Sequence, residues 1–461
     1  MDLNSPIFLF LFLPLSIFVY YLAKRRAKLI VGIIASLLFY AWGNLVYVPL
    51  IIGLVIFTYF VARGIERWRS KRYALLLLWA GLLVNITLLI GFKLLPAVKY
   101  PLGLSYLAFQ VIAYFFEVYN KKTDSEKDFL IFSFYLLLFP KISVGPITRY
   151  SQLREQIHNI QVEPFDVAHG IRRFIGGFAK KALIADTLAR VVTPVFNLSS
   201  PIISPSIAWL VIISYSLQLY FDFSGYTDMS LGLGRMMGLR FVENFNFPYL
   251  SKNIGDFWRR WHISLSSWFR DIVFYPLERH RLKWIGQPVN ILIVFILTGL
   301  WHGLTRNFII WGLIHGLALV FESTFLGRKV RAFWSPIQHM YALGIILVGW
   351  VFFRSPTPDF ALDFLRRLLG DTRGLRPVPF ELTSPLPLIE PTVIIALVAG
   401  IIFIFPVGDW LNGFYQKYIP DKLFPSLAFQ IFSDLGLVFI LIASVAATAS
   451  STFAPGIYGA F

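Results

Sequence analysis

Long apolar runs separated by short polar connectors dominate the chain. Clear examples are Ile7–Ala23, Val46–Ala62, Tyr73–Phe92, Val393–Phe405 and Ile431–Ala446. A helix needs about 20 mostly apolar residues to cross the hydrocarbon core, so the long runs predict membrane helices. The pattern as a whole predicts an all-α, polytopic membrane protein with roughly ten or more membrane helices.

The same pattern divides a single integral membrane domain, residues 1–461, into three parts. Residues 1–93 predict four plain membrane helices, whereas the runs in residues 94–355 are short or broken by proline, glycine and charge. Irregular backbone at membrane depth is tolerated only where it is buried in protein or lines a cavity. The middle part therefore predicts short re-entrant or interfacial helices around a central tunnel. Residues 356–461 return to apolar helices after the Pro-rich loop 355–391.

Composition and charge agree with this assignment and orient the chain. The chain is 57% hydrophobic and 15% charged, whereas soluble domains are about half apolar and a quarter charged. The net charge is +17, but Lys and Arg cluster in short connectors such as Lys24–Lys28 and Arg63–Arg72. That distribution follows the positive-inside rule, so it predicts cytosolic loops rather than a nucleic-acid partner. We expect an outside N-terminus, an uncleaved anchor at Ile7–Ala23 and a multi-pass location in the inner or plasma membrane.

Several kinds of chemistry find no support in the sequence. The chain has no cysteine, which excludes disulfides, cysteine metal sites and a cysteine acyl-enzyme. None of the seven histidines forms an HExxH motif or a close pair with acidic residues, so no metal site is predicted. There is also no GxSxG elbow to supply a serine nucleophile.

Two histidines fall within or at the end of apolar runs. His302 directly follows the run Val289–Trp301, and His315 lies inside the next run. An ionisable side chain is expensive in hydrocarbon, so an intramembrane histidine is a functional-site candidate by default. The alternatives are structural. His302 could be a hydrogen-bonded core histidine at a helix end, and His315, flanked by Gly312 and Gly316, could serve helix packing.

The segment Phe257–Asp271 combines aromatic, basic and histidine side chains. Read as one helix, it places on a single face the residues Trp258, Trp261, His262 and Leu265. One interpretation is a membrane-surface anchor. The other is that a basic face recognises an anionic donor while His262 lines a cavity, because arginine binds phosphate in bidentate fashion. The basic residues concerned are Arg259, Arg260 and Arg270. One short crossing between His262 and His302 would allow them to meet.

Two acidic residues, Asp222 and Asp228, follow the apolar run Ile207–Tyr220. They could pair with an arginine, orient a histidine or sit at a helix end. Structural pairing and direct catalysis remain open alternatives for both.

Several motifs occur in one order and together carry a family resemblance. They are Pro101–Gln110, Phe139–Pro140, Gly145–Tyr150, Phe221–Met229, Glu243–Pro248, Phe257–Asp271, Gly299–Gly303, Trp311–Gly316 and Gly349–Arg354. With them the chain resembles the membrane-bound O-acyltransferase (MBOAT) family over about residues 100–355. It is most similar to the bacterial branch of alginate O-acetyltransferases and teichoic-acid D-alanyl transfer proteins. One departure lies in Ile272–Arg281, where charge replaces the glycine pair usual in alginate-type members.

The resemblance implies roles for individual residues. His302 matches the family's central catalytic histidine, His262 a second histidine important in this branch, and His315 a frequent one. Further supporting candidates are Trp301, Ser266, Asp222 and Asp228. The candidates for binding the donor are Trp258, Arg259, Arg260, Trp261 and Arg270.

The resemblance also implies a reaction and its partners. An acyl group would pass from a cytosolic thioester to a hydroxyl that approaches from the other side of the membrane. No bound cofactor is expected, since acetyl-CoA or a phosphopantetheine carrier protein would be a co-substrate. Expected partners besides membrane lipid are an exported polysaccharide or an extracytoplasmic SGNH-like acyltransferase.

Other functions remain as alternatives. The alginate-type segment Gly349–Arg354 favours acetyl over D-alanyl transfer, which is the alternative within the family. A transporter or flippase would use the histidines as proton relays and predicts inverted repeats, of which the sequence shows none. A catalytically silent membrane scaffold is the third possibility.

Overall fold

The computed structural model describes residues 1–95, 98–200, 203–281, 286–330, 332–374, 390–418 and 423–450. Helices are the regular secondary structure throughout these ranges, which confirms the all-α prediction. Residues 375–389 of the predicted Pro-rich loop lie outside the described part of the chain. The described residues fall into two compact units, and α-helices are numbered through both in chain order.

The first unit comprises Met1–Phe178 and Gly225–Glu243. After a short π-helix at Phe8–Phe12, its helices are α1 Leu13–Leu22, α2 Arg26–Asn44, α3 Val48–Arg67, α4 Arg72–Leu94, α5 Leu104–Tyr119, α6 Phe129–Leu137, α7 Phe139–Ile142, α8 Tyr150–His158 and α9 Pro164–Ala179. Helix α3 packs on α4 and α5, and α2 packs on α6. Four α-helices thus occupy most of residues 1–93, and their crossing of the membrane as four separate spans stays a prediction.

The second unit comprises Ala179–Ser224 and the described residues from 244 to 450. A π-helix, Lys180–Ala185, leads into α10 Asp186–Phe196 and α11 Pro205–Met236, whose last part belongs to the first unit. The remaining helices are α12 Ile254–Arg260, α13 Ile263–Phe269, α14 Tyr275–Arg279, α15 Gln287–His302, α16 Arg306–Ser323, α17 Phe325–Val330, α18 Ser335–Arg354, α19 Pro358–Leu368, α20 Pro391–Phe403, α21 Val407–Tyr418 and α22 Leu423–Ser450.

Length and apolar composition make several of these helices candidate membrane spans. Five stretches qualify among the described residues, namely Arg26–Arg67, Arg72–Leu94, Pro205–Met236, Ser335–Arg354 and Ile431–Ser450. Shorter apolar helices are Phe8–Leu22, Leu104–Tyr119, Gln287–His302 and Pro391–Phe403. The chain is a membrane protein, as its hydropathy pattern predicts.

Helices α15 and α16 form the framework of the histidine region. Pro288 stands in the first turn of α15, where its missing N–H costs no helical hydrogen bond, and the helix ends at His302. A Cβ on Gly299 would lie 2.3 Å from the carbonyl oxygen of Phe308, and one on Gly312 would lie 2.4 Å from that of Phe295. Glycine at these two positions therefore lets the two helix backbones approach closely.

Candidate active site

The aromatic-basic segment is broken at His262, so the prediction of one continuous helix over Phe257–Asp271 is wrong. Helix α12 ends at Arg260 and α13 begins at Ile263. His262 between them has φ 44° and ψ 54°, the left-handed conformation that non-glycine residues seldom adopt. A π-helical turn, Arg270–Phe274, then follows α13.

A preceding loop segment holds this break in place. The backbone N–H of Ile263 donates to the carbonyl of Asn244 at 3.0 Å, and the N–H of Asn246 donates to the carbonyl of Arg260 at 3.0 Å. The side-chain oxygen of Asn244 lies 3.0 Å from Nδ1 of His262. The motif Glu243–Pro248 contains Asn244, but the sequence alone does not predict its contact with His262.

His262 is almost completely enclosed, with 1% of its surface exposed. It lies outside the candidate membrane spans, and burial lowers the pKa of its imidazole to about 3. The ring is therefore neutral at physiological pH. Phe223 meets it edge-on with ring centres 4.7 Å apart, and Nε2 has no hydrogen-bond partner among the described residues.

His302 is the last residue of α15 and is buried within a cluster of aromatic rings. Its imidazole meets Trp311 and Phe353 edge-on at centroid distances of 5.1 and 4.9 Å. Phe308 stacks at 6.0 Å, and Trp301 lies 4.4 Å away. The structure thus places this histidine at a helix end in the protein interior, as the sequence predicts.

His315 lies inside α16 and has no exposed surface. Trp258 and Trp311 contact its ring at centroid distances of 5.2 and 5.3 Å. Neither ring nitrogen has a hydrogen-bond partner among the described residues. Burying unpaired polar atoms costs free energy, so a functional role for His315 stays a prediction beside the packing role that the sequence also allows.

Tryptophans connect the three histidines within the second unit. Trp301 contacts both His302 and His262, the latter at a centroid distance of 6.3 Å. Trp311 contacts both His302 and His315. The structure therefore brings together the three histidines and Trp301, a supporting candidate, in one aromatic cluster.

A cavity of about 420 Å³ lies beside this cluster. Four predicted residues line it, namely Trp258, Arg259, Ser266 and Arg270. Most of its remaining lining is apolar and includes Val294 and Phe295 of α15, the helix that ends at His302. Phe295 stacks on His315 at 6.4 Å, so one wall of the cavity backs directly onto a histidine of the cluster.

The charged groups at the cavity are not buried. The side chains of Arg259 and Arg270 retain 68% and 53% of their exposure, and each pairs with one neighbouring carboxylate, Asp256 or Asp271. Exposed ion pairs of this kind stabilise little, so both guanidinium groups remain available to a ligand anion.

The other two predicted donor residues lie elsewhere in the second unit. Arg260 donates to Asp256 at 3.1 Å and to the carbonyl of Asn246 at 3.4 Å. Trp261 is buried and packs against Phe245 and Trp350 with centroids 5.1 Å apart in each case. Their contacts support α12, and a role in donor binding stays a prediction for both.

The two aspartates lie within α11 and not at a helix end. Asp222, in the second unit, is 2.9 Å from Nζ of Lys181. Burial alone would lower the pKa of Lys181, but the charges of Asp222 and Asp186 raise it above its ordinary value. In the first unit, Arg173 donates to Asp228 at 2.9 Å. Asp228 thus pairs with an arginine, as one sequence interpretation expected, whereas the ion-pair partner of Asp222 is a lysine.

The segment that departs from the alginate-type pattern is helical. The π-helix Arg270–Phe274 continues directly into α14, where Glu278 accepts a hydrogen bond from Nδ2 of Asn290 at 2.6 Å. The charge that replaces the glycine pair thereby ties α14 to the start of α15.

Comparisons with known proteins identify the family of this chain. Residues 125–353 match the MBOAT, membrane-bound O-acyltransferase family. The chain is 35% identical over 381 residues to the probable alginate O-acetylase AlgI of Pseudomonas aeruginosa, covering 77% of this chain and 72% of the relative. It is 33% identical over 420 residues to the peptidoglycan O-acetyltransferase of Helicobacter pylori, covering 80% and 79%.

A third relative is named for the transfer of a different acyl group, D-alanyl. The chain is 30% identical over 330 residues to the teichoic acid D-alanyltransferase of Bacillus subtilis, covering 66% of this chain and 82% of the relative. The predicted family is confirmed, and the matched region contains His262, His302 and His315. The chain belongs to the membrane-bound O-acyltransferase family and is an O-acyltransferase.

Proposed function

We propose that this protein transfers an acetyl group from a cytosolic thioester to a hydroxyl on the far side of the membrane, with His302 as general base. The observation that carries the proposal is the position of His302. It ends α15 inside an aromatic cluster, and α15 also lines a cavity with two arginines in its wall. The relatives named as O-acetylases and O-acetyltransferases cover about three quarters of the chain or more.

The reaction needs no bound cofactor. The acceptor hydroxyl attacks the thioester carbonyl while the imidazole of His302 takes the hydroxyl proton. The carbon–sulfur bond then breaks, and the thiolate leaves and takes up a proton, which regenerates the base. General-base assistance contributes roughly 10²–10⁴-fold to such a step. Aromatic side chains around the imidazole exclude water, which limits hydrolysis of the thioester.

The lining of the cavity supports acetyl-CoA as the donor. The apolar wall suits a thioester arm, and Arg259 and Arg270 suit the phosphates of CoA, since guanidinium groups bind phosphate in bidentate fashion. Trp258 offers an indole N–H that has no protein partner among the described residues. The D-alanyl thioester of a carrier protein is the second candidate, which the teichoic acid D-alanyltransferase relative supports.

The acceptor side of the proposal rests on the relatives. Their names concern alginate, peptidoglycan and teichoic acid. We therefore place this protein in the cell membrane, where it acetylates an exported polysaccharide directly or through an extracytoplasmic SGNH-like acyltransferase.

Purified protein in lipid nanodiscs, incubated with radiolabelled acetyl-CoA and a soluble hydroxyl acceptor, tests the proposal. We expect His302→Gln, which keeps side-chain bulk but removes the base, to lower the transfer rate roughly 10²–10⁴-fold. The control is His280→Gln, because His280 is exposed at the end of α14. Transfer by His302→Gln at the wild-type rate refutes the proposed base. Use of D-alanyl carrier protein in place of acetyl-CoA refutes the proposed donor.

A further inference from the structure

The side chain of Asn244 makes an unusual set of contacts beside His262. Its oxygen Oδ1 lies 3.0 Å from Nδ1 of His262, 3.1 Å from the backbone nitrogen of Ser264 and 3.0 Å from the hydroxyl of Ser264. Asn244 itself is fully buried. One buried amide oxygen thus faces three polar groups that surround a left-handed turn.

These contacts determine which atom of the amide faces His262. Oxygen and nitrogen of an asparagine amide are normally assigned from the hydrogen bonds around them. A backbone N–H can only donate, so the atom 3.1 Å from the nitrogen of Ser264 has to be the acceptor, Oδ1. If the amide were reversed, its NH₂ group would face that N–H without any acceptor between them.

The orientation of the amide then determines the tautomer of the imidazole. A carbonyl oxygen cannot donate, so Nδ1 of His262 has to carry the proton of the 3.0 Å contact. In a neutral imidazole only one nitrogen is protonated, and the hydrogen bond made by one nitrogen sets the state of the other. Nε2 is consequently the acceptor atom of the ring, and it is buried without a hydrogen-bond partner among the described residues.

We propose that Asn244 is a positioning residue of the acyl-transfer site: its side-chain carbonyl holds His262 as the Nδ1–H tautomer and so keeps Nε2 as the acceptor atom of the ring for a reacting group. The backbone bond from Ile263 to the carbonyl of Asn244 fixes the same turn, so main chain and side chain act together. The proposal rests on the proposed function, because the role of Nε2 is to accept a hydrogen bond from a hydroxyl or thiol of a substrate.

Nitrogen NMR of the resting protein tests the tautomer without any substrate. In ¹⁵N-histidine-labelled protein in nanodiscs, protonated and unprotonated imidazole nitrogens resonate far apart, and the spectrum of His262→Gln identifies the His262 signals. We expect Nδ1 protonated and Nε2 unprotonated in the wild type. The opposite tautomer in the wild type overturns the proposal, whatever the protein transfers.

Kinetics of three variants test the consequence for the reaction. Asn244→Asp keeps an acceptor for all three donors and replaces the NH₂ group, which has no partner among the described residues, with a second carboxylate oxygen. Asn244→Leu has similar size but no acceptor. We expect Asn244→Leu to lower kcat roughly 10–100-fold with little change in KM, comparable to the loss when a group that orients a metal-bound histidine is removed. We expect kcat of Asn244→Asp to lie much closer to the wild-type value.

Ser264→Ala is the matched control, since it removes one donor to Asn244 but leaves the bond to His262. We expect near-wild-type kcat for this variant. Equal losses in Ser264→Ala and Asn244→Leu, or wild-type kcat in Asn244→Leu, overturn the positioning role. If Asn244→Leu does not fold, failure of Asn244→Asp to retain the wild-type tautomer overturns it. Absence of acetyl transfer in the wild type counts against the proposed function alone, because the NMR result does not depend on it.

Discussion

Gly349 leaves space for the imidazole of His315 because it has no side chain. Gly349 on α18 faces the imidazole so closely that a Cβ there would lie 2.8 Å from Nε2 of His315 and 3.5 Å from Cδ1 of Trp311. Contacts below 3.0 Å force one partner to move, and the rings of Trp258 and Trp311 leave the imidazole little freedom. The position of this buried histidine is therefore set partly by a residue that has no side chain.

Gly349→Ala should displace His315 and destabilise the protein. Overpacking a well-filled core costs typically about 1–3 kcal/mol. Gly344→Ala on the same helix is the control, because a Cβ there meets nothing within 4 Å, and alanine is the better helix former by roughly 0.5–1 kcal/mol. Melting temperatures in one detergent should therefore move in opposite directions. A shift of the same sign in both would show that His315 is not confined by α18.

Among the helices, α12 depends on a carboxylate from a distant part of the chain. Glu322 near the end of α16 accepts from the backbone N–H of Ile254 at 2.5 Å and of Gly255 at 3.0 Å. These are the first two residues of α12, whose N–H groups have no partner within the helix. The helix that carries Trp258 and Arg259 into the cavity wall is thus tied to the helix that carries His315.

Glu322→Ala should weaken both the fold and donor binding. Hydrogen bonds to a charged group contribute about 1.5–3 kcal/mol, and two backbone donors would remain unpaired. We expect a lower melting temperature and a raised KM for acetyl-CoA, with Glu322→Gln intermediate because it retains one acceptor. Ser323→Ala is the control, since within the described part of the chain its hydroxyl bonds only to the carbonyl of Val320 in its own helix. An unchanged KM in Glu322→Ala would show that donor binding does not depend on the contact between Glu322 and α12.

The same elements show what the sequence could predict. Helices α1 to α4 can be predicted from hydropathy alone, because a helix in lipid satisfies its backbone hydrogen bonds within its own segment. The break at His262 does not, because no proline or glycine stands there. It depends on Asn244, 18 residues earlier, whose contacts exist only in the folded chain. The ion-pair partners of Asp222 and Asp228 also come from distant segments, so the sequence left their pairing open.

On the scale of the whole molecule, apolar side chains form much of the exposed surface. Leu83 in the middle of α4 is 66% exposed, Phe60 on α3 is also 66% exposed, and Phe439 on α22 is 73% exposed. In water such a surface would drive aggregation, whereas hydrocarbon solvates it. The free-energy cost of a charged side chain on this surface should therefore depend on how deep in the membrane it lies.

Leu83→Lys should impair insertion and folding far more than a lysine near the end of the same helix. A lysine at the centre of a membrane helix costs about 2.5–3.5 kcal/mol on insertion scales. Tyr73→Lys, at an equally exposed position in the first turn of α4, should be tolerated, because a lysine there extends its ammonium group to the interface. Leu83→Ala controls for lost side-chain volume. The measurement is the amount of folded protein extracted from membranes, normalised to synthesis. Equal yields of the two lysine variants would mean that this face of α4 does not contact lipid, and that another protein surface covers it.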